Sequence, residues 1–376
     1  MIGLIFHGPE VIDSGEASEA LEMLASITPN FKAFLGGISG KTAVIDAGLT
    51  DVIDITQQKL PSELITDLIR EGYEFILLLN HAKSKTSGLA LGEGIFRRVV
   101  SQARGGFSFV QIDYNGFTVP WRIEDREMER YGRLLNLFAL REIKPPDREE
   151  RIKKAGKKTY RNVEGVKAGE KILVDGIVIG VARCEDVVII EENGKIVGLE
   201  GGNIIEENLL KLDYVTLESA MVKSVGYFRE HAPEVKGSFK RDVCENKVAL
   251  LFTADRVFEV LERVSGVVTI GDDTTAIVAD IANRFDVPVL GITDGDLDGL
   301  IPEIGSGEKF EFERIAPKGS LIFRVRPEFD DEIGYRIKDE IFGGRDEIEI
   351  DFKVLCERVL EIVGEDDVMW VTSLSV

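Results

Sequence analysis

The run Phe75-Ile76-Leu77-Leu78-Leu79 has no polar residue at alternate positions. A strand built from it must be buried on both faces, inside a parallel sheet covered by helices on each side. Its surroundings keep the same alternation. Gly3 to Phe6, Phe31 to Leu35, Asp51 to Ile55 and Phe107 to Ile112 read as further strands. Ser14 to Ile27 has helical spacing, with Ser14 as cap and Ala17, Leu21, Leu24 and Ala25 on one side. Thr42 to Ala47, Pro61 to Arg70 and a stretch around Gly94 to Gln102 also suit helices. This order predicts a Rossmann-like α/β domain over residues 1–140.

Arg122 to Leu140 is expected to be helical, and Pro145-Pro146 breaks the chain after it. Between Arg141 and Lys171 there are eleven Lys or Arg and six Asp or Glu, so 141–162 reads as a basic linker or helix. From 163 to 230 the period changes. Lys171 to Val181, Val187 to Ile190 and Lys195 to Leu199 are β-rich, and Asn193-Gly194 is a hairpin signal. A small antiparallel sheet or barrel is expected there. The α/β rhythm returns at Lys247, with strands at Val248 to Phe252, Val267 to Ile270, Val287 to Ile292 and Ser320 to Val325. The expected fold is therefore two doubly wound Rossmann-like units, 1–140 and 245–376, flanking a β-rich insert.

A chain of 376 residues fits two or three domains. Its formal net charge of −21 repels phosphate backbones and anionic lipid over most of the surface, which makes nucleic acid an unlikely partner. No wholly apolar run is longer than that of Phe75 to Leu79, so no membrane span is expected. No basic segment precedes the first apolar run, and Cys184, Cys244 and Cys356 are far apart. A reducing, cytoplasmic setting follows, without a cysteine-based zinc site.

Two segments concentrate carboxylates. Gly271-Asp272-Asp273-Thr274-Thr275 follows one expected strand and Thr293-Asp294-Gly295-Asp296-Leu297-Asp298-Gly299 follows the next. In a parallel sheet both loops leave at the carboxyl edge, where α/β ligand sites form. Asp272, Asp273, Asp294, Asp296 and Asp298 would then converge, and their repulsion is relieved by a cation. Oxygen ligands suit Mg²⁺ or Ca²⁺. The rival explanation is turn formation, for which Asp and Gly are natural. An EF-hand is disfavoured, because position twelve is Gly305 and a strand stands where the entering helix should be.

The first domain carries other chemistry at its strand ends. His7 and His81 each follow a strand and could move protons. The loop Gly36-Gly37-Ile38-Ser39-Gly40-Lys41-Thr42 and the loop containing Lys83 and Lys85 offer amides, hydroxyls and cations to an anion. The first of these is one residue short of a phosphate-binding Walker A loop. A glycine-rich turn with an exposed lysine is the plainer reading. No nucleophile elbow and no Gly-x-Gly-x-x-Gly fingerprint opens a helix.

The 293–299 segment resembles the aspartate stretch of topoisomerase–primase (Toprim) domains, where paired aspartates after a strand bind Mg²⁺. No Glu-Gly follows an earlier strand, so Asp272 or Asp273 would have to substitute. At full length, His7 to Gly15, Gly40 to Gly48 and the two acidic loops resemble an archaeal family defined as a domain of unknown function. That resemblance implies an archaeal, cytosolic protein and no particular activity. The leading expectation is a Mg²⁺-dependent enzyme acting on a small phosphorylated or nucleotide-like molecule by phosphoryl transfer or hydrolysis. The alternatives are a non-catalytic ligand or metal sensor and a Toprim-like nucleic-acid enzyme. A homo-oligomer is compatible with every one of these.

Overall fold

The computed structural model describes residues 1–145, 152–226, 229, 237–239, 246–254, 256–295, 315–327, 329–364 and 368–373. The chain divides into two compact units, Met1–Ala232 and Pro233–Val376. The β-rich segment shares the first unit with the first α/β sheet. Both units are mixed α/β structures.

In unit 1, strands β1 (Ile2–His7), β2 (Phe31–Leu35), β3 (Ile53–Asp54), β4 (Phe75–Asn80), β5 (Ser108–Asp113), β6 (Phe117–Arg122) and β7 (Arg141–Glu142) form one sheet. Their order is β3-β2-β1-β4-β5-β6-β7. The first five are mutually parallel, and β6 turns back antiparallel on β5. Helices α1 (Glu10–Asp13), α2 (Glu16–Ile27), α3 (Lys41–Asp46), α4 (Pro61–Arg70), α5 (Lys85–Gln102) and α6 (Met128–Phe138) connect them. Every residue of β4 is buried, as its unbroken apolar run requires. Ile5, Phe34, Leu64, Leu68, Leu78, Val99, Phe109 and Trp121 belong to one hydrophobic core.

Three expectations for this region are corrected. Ser14 does not cap the long helix. Its hydroxyl donates to the Glu10 carbonyl (2.7 Å), and Gly15, at φ +81°, precedes a helix that starts at Glu16. The helix expected from Arg122 begins only at Met128, because Phe117–Arg122 is strand β6. Pro120 lies in that strand opposite Val110, next to a bulge whose extra residue is Trp121. The expected linker or helix at 141–162 holds no helix among its described residues. Strands β8 (Ile152–Ala155) and β9 (Lys158–Val163) form a hairpin turning at Gly156, φ +64°.

The β-rich part adds β10 (Lys171–Val174), β11 (Ile177–Ala182), β12 (Val187–Glu192), β13 (Lys195–Glu200), β14 (Gly202–Ile204), a short helix α7 (Glu206–Leu209) and β15 (Val222–Val225). Two four-stranded sheets result, ordered β14-β11-β10-β15 and β13-β12-β9-β8. Val163, Ile172, Ile179, Ile189 and Leu199, drawn from both sheets, share one core. Asn193 (φ 53°) and Gly194 (φ 81°) make the expected hairpin turn. Asp175 (φ 49°) and Gly176 (φ 91°) make a second, which divides the β-rich stretch Lys171–Val181 into two strands.

In unit 2, β16 (Lys247–Leu251), β17 (Gly266–Ile270), β18 (Val289–Thr293) and β19 (Leu321–Val325) are parallel neighbours. Strands β20 (Glu347–Glu349) and β21 (Val368–Ser373) flank them antiparallel. Helices α8 (Val257–Leu261), α9 (Asp272–Asn283), α10 (Asp330–Glu340) and α11 (Phe352–Val363) complete the unit. Val248, Val268, Leu290, Phe323, Ile337 and Leu355 lie in its core. No helix among the described residues is long and apolar enough to cross a membrane.

Candidate functional site

In unit 1 the chain moves outward from β1 in two directions, to β2 and β3 on one side and to β4 and β5 on the other. The carboxyl ends of β1 and β4 therefore border the crevice where sheets of this order take ligands. His7 ends β1 and pairs in register with Asn80, the last residue of β4. His81 is the next residue, so both histidines stand at one edge on neighbouring strands.

His7 Nδ1 lies 2.8 Å from the Gly36 carbonyl oxygen. A carbonyl can only accept, so Nδ1 carries the proton and Nε2 keeps its lone pair in the neutral ring. Burial pushes this imidazole below its ordinary range; the Gly36 bond opposes that shift, and the charge of Lys223 adds to it. Gly37, at φ +88°, passes against the ring. Lys223 comes from β15, so the β-rich part reaches this edge. Lys223 is exposed, yet desolvation lowers its pKa, and Arg98 lowers it further. His81 Nδ1 lies 2.9 Å from Glu16 Oε2, and the Tyr114 hydroxyl donates to the Glu16 carbonyl (3.3 Å).

A buried polar chain supports the edge. Asn80 Nδ2 donates to Asp113 Oδ2 (2.7 Å), Gln111 Nε2 donates to Asn80 Oδ1 (3.0 Å) and to the Gly88 carbonyl (2.8 Å), and Trp121 Nε1 donates to Gln111 Oε1 (3.1 Å). Burial raises the Asp113 carboxyl above its usual range, against the pull of its hydrogen bonds. Helix α5 reaches this network because Gly88 and Gly92 have no Cβ. One at Gly88 would overlap Asp113 Oδ2, and one at Gly92 would overlap Gln111 Oε1.

The glycine loop is largely committed to the fold. The Gly36 amide donates to the Phe6 carbonyl and that of Gly37 to the Lys59 carbonyl, each at 2.8 Å, while the Lys41 amide donates to Ile38 O (3.1 Å). A Cβ at Gly40 would sit 2.9 Å from the Gly8 carbonyl oxygen. Lys41 and Thr42 are buried in α3, whereas Ser39 is exposed. The exposed lysine of the plain turn reading is therefore absent. Lys83 ties the edge to the β-rich part, meeting Glu170 Oε2 at 2.5 Å and the Ser224 carbonyl at 3.0 Å. Lys85 is exposed at the start of α5. Arg229, buried, grips Asp13 with Nε (2.7 Å) and Nη2 (2.5 Å) and Asp46 with Nη1 (2.5 Å). It thereby joins α1 to α3, the helices that follow the His7 and Gly36 loops.

In unit 2 the structure brings Asp272 to the 294–295 backbone. Asp272 Oδ2 accepts the amides of Asp294 (2.8 Å) and Gly295 (3.0 Å). Burial raises the Asp272 carboxyl; these amides and Arg324 oppose the shift, and Asp294 reinforces it. Arg324 packs on Gly295, where a Cβ would collide with its guanidinium. Asp273 is half-buried as the second residue of α9. Asp296 and Asp298 lie outside the described residues, and among the described ones no three His, Cys, Asp or Glu side chains group as a metal site.

Sequence reading had not assigned roles to Glu16, Asn80, Gln111, Asp113, Glu170, Lys223, Arg229 or Arg324. Two signals were present: Gln111 and Asp113 alternate at the end of a strand that also holds Phe109, Val110 and Ile112, and Gly88 and Gly92 share one helix face. Lys223 and Arg229 gave none, since they reach the edge only through tertiary folding.

Fold and edges together define a mixed α/β protein with polar groups gathered at the carboxyl ends of parallel strands. The chain belongs to the family described as an uncharacterized protein conserved in archaea (DUF2117), which matches residues 4–345. It is 35% identical over 344 residues to the uncharacterized protein MJ0065 of Methanocaldococcus jannaschii, covering 89% of each chain. No solved structure matches it significantly. The resemblance to an archaeal family thus holds over nearly the whole chain; the Toprim likeness is not shown by these matches.

Proposed function

We propose that unit 1 is a Rossmann-like, doubly wound module that binds a small phosphorylated or nucleotide-like molecule at the carboxyl edge of its sheet, with His7 accepting a proton from it. The observation that carries this reading is His7 itself: a desolvated imidazole at the end of the central strand, its Nδ1 committed to Gly36 and its Nε2 lone pair retained. Lys223 and Arg98 supply positive charge for an anion. Phosphoryl transfer or hydrolysis of such a ligand needs a cation on the phosphate oxygens, and Mg²⁺ is the cofactor of this reading. Unit 2, with sequentially ordered parallel strands, is proposed as a second Rossmann-like unit, and the cytoplasm as the setting.

A non-catalytic sensor is the second reading. It is favoured by Lys83, whose bonds to Glu170 and Ser224 fasten the β-rich part to the same edge. Such a tether would pass ligand occupancy on to that layer.

A thermal-shift screen across nucleotides and phosphorylated metabolites, with product analysis, decides between these readings. The enzyme reading expects a ligand that raises the melting temperature, a smaller rise in Lys223→Met, and lost turnover with retained binding in His7→Gln. Stabilisation without product selects the sensor. If no anion stabilises the protein, or Lys223→Met responds like wild type, the unit 1 site is refuted.

A further inference from the structure

We propose that unit 2 binds one Mg²⁺ between the end of β18 and the first turn of α9, using Asp272 Oδ1, Asp294 and the Thr293 hydroxyl. Two orphaned atoms carry this. Asp272 is 2% exposed, and while its Oδ2 holds two amides, its Oδ1 has no hydrogen-bond partner among the described residues. Thr293 is wholly buried, and its Oγ1 has none either. A buried polar oxygen left unpaired keeps its full desolvation penalty. Two at one strand end point to a ligand.

Both side chains belong to the same strand end, on the α9 side of the sheet. Gly291 of β18 lies directly under Thr275 of α9. Side chains two apart on a strand project from the same face. Thr293 therefore projects toward α9, beyond Gly291 and at the level of its first turn, where Asp272 begins the helix. The Asp272 carboxylate is itself pinned to the 294–295 backbone, so Oδ1 is pre-positioned next to Asp294. The Arg324 guanidinium packs on Gly295 beside these two carboxylates.

The donor set selects the ion. All the donors are hard oxygens, which disfavours zinc. Two carboxylates and a hydroxyl fall short of the 6–8 oxygens that Ca²⁺ takes. Mg²⁺ characteristically binds through one or two carboxylates and keeps several waters. This site stands on unit 2 alone, and a failed ligand screen at the unit 1 edge leaves it untouched.

The test is calorimetric titration of the intact, EDTA-treated protein with MgCl₂, beside Asp272→Asn, Asp294→Asn and Thr293→Val. Asn at 272 retains an oxygen for the two amides, and Val at 293 is isosteric, so at least one variant keeps the fold; circular dichroism identifies it. The expected result is saturable binding near one ion per chain. Affinity should fall about 100-fold in Asp272→Asn and about tenfold in Thr293→Val. Absence of saturable binding to wild type, or wild-type affinity in any folded variant, overturns the site.

Discussion

Gly88→Ala tests whether the buried chain beneath the histidine edge is as tightly fitted as its geometry implies. The new methyl would overlap Asp113 Oδ2, lie 3.0 Å from its Cγ and 3.1 Å from the Phe117 ring. Asp113 is wholly buried and cannot swing into water. Relieving the clash moves its carboxyl away from Asn80 Nδ2, now 2.7 Å distant. Overpacking a filled site costs about 1–3 kcal/mol, and a hydrogen bond to a charged group is worth about 1.5–3. Replacing helical glycine by alanine returns roughly 1 kcal/mol. The net expectation is a loss of about 1.5–5 kcal/mol, or roughly 3–20 °C in melting temperature for a unit of this size. Gly94→Ala is the control: it lies on the same helix with nothing within 4 Å, and should stabilise by about 0.5–1 kcal/mol. Urea and thermal unfolding, followed by the fluorescence of Trp121 at the end of this network, measure both. Equal stability of the two variants would show that α5 does not bear on Asp113, and the account of the edge would be wrong.

Two further outcomes follow. His7 has a folded pKa below 6.5 because burial disfavours its charged form. Below that pH the unfolded chain takes up the proton first, so stability should fall as pH drops through about 6.5 and be unaffected well above it; urea titrations from about pH 8 to about pH 5 should show this slope in wild type and a flatter one in His7→Gln. Arg229→Met leaves Asp13 and Asp46 buried without their guanidinium. Removing one partner of a buried ion pair costs about 3–5 kcal/mol, read by chemical denaturation, and a loss below about 1 kcal/mol would contradict the burial.

Much of the scaffold was legible, because strands buried on both faces advertise themselves. Phe75–Asn80 is such a run, and the helix Pro61–Arg70 starts and stops where its proline and periodicity place it. The misreadings have local causes. Strand β6 contains Pro120, a residue that argues against a strand, beside a bulge at Trp121. Helix α5 was expected to be half its length, since Gly88, Gly92 and Gly94 dilute its pattern. At Gly88 and Gly92, glycine is what lets the helix lie on two polar side chains.

The site was legible in kind and not in allegiance. Sequence shows which residue types follow a strand, but whether an amide or ammonium faces a ligand depends on partners from elsewhere in the chain. Lys83 looked available and is held by Glu170 and Ser224. The Gly36 and Gly37 amides looked like an anion cradle and are bonded to Phe6 and Lys59. Lys223, more than two hundred residues beyond His7, carried no local signal and acts on that imidazole. The acidic loops follow the same logic: Asp272 is at once a tether, through Oδ2, and an acceptor without a partner among the described residues, through Oδ1. A carboxylate used only for turn formation would satisfy both oxygens locally or in water. At both edges the discriminating fact is therefore the atom left over after the fold has taken what it needs, which is a tertiary quantity.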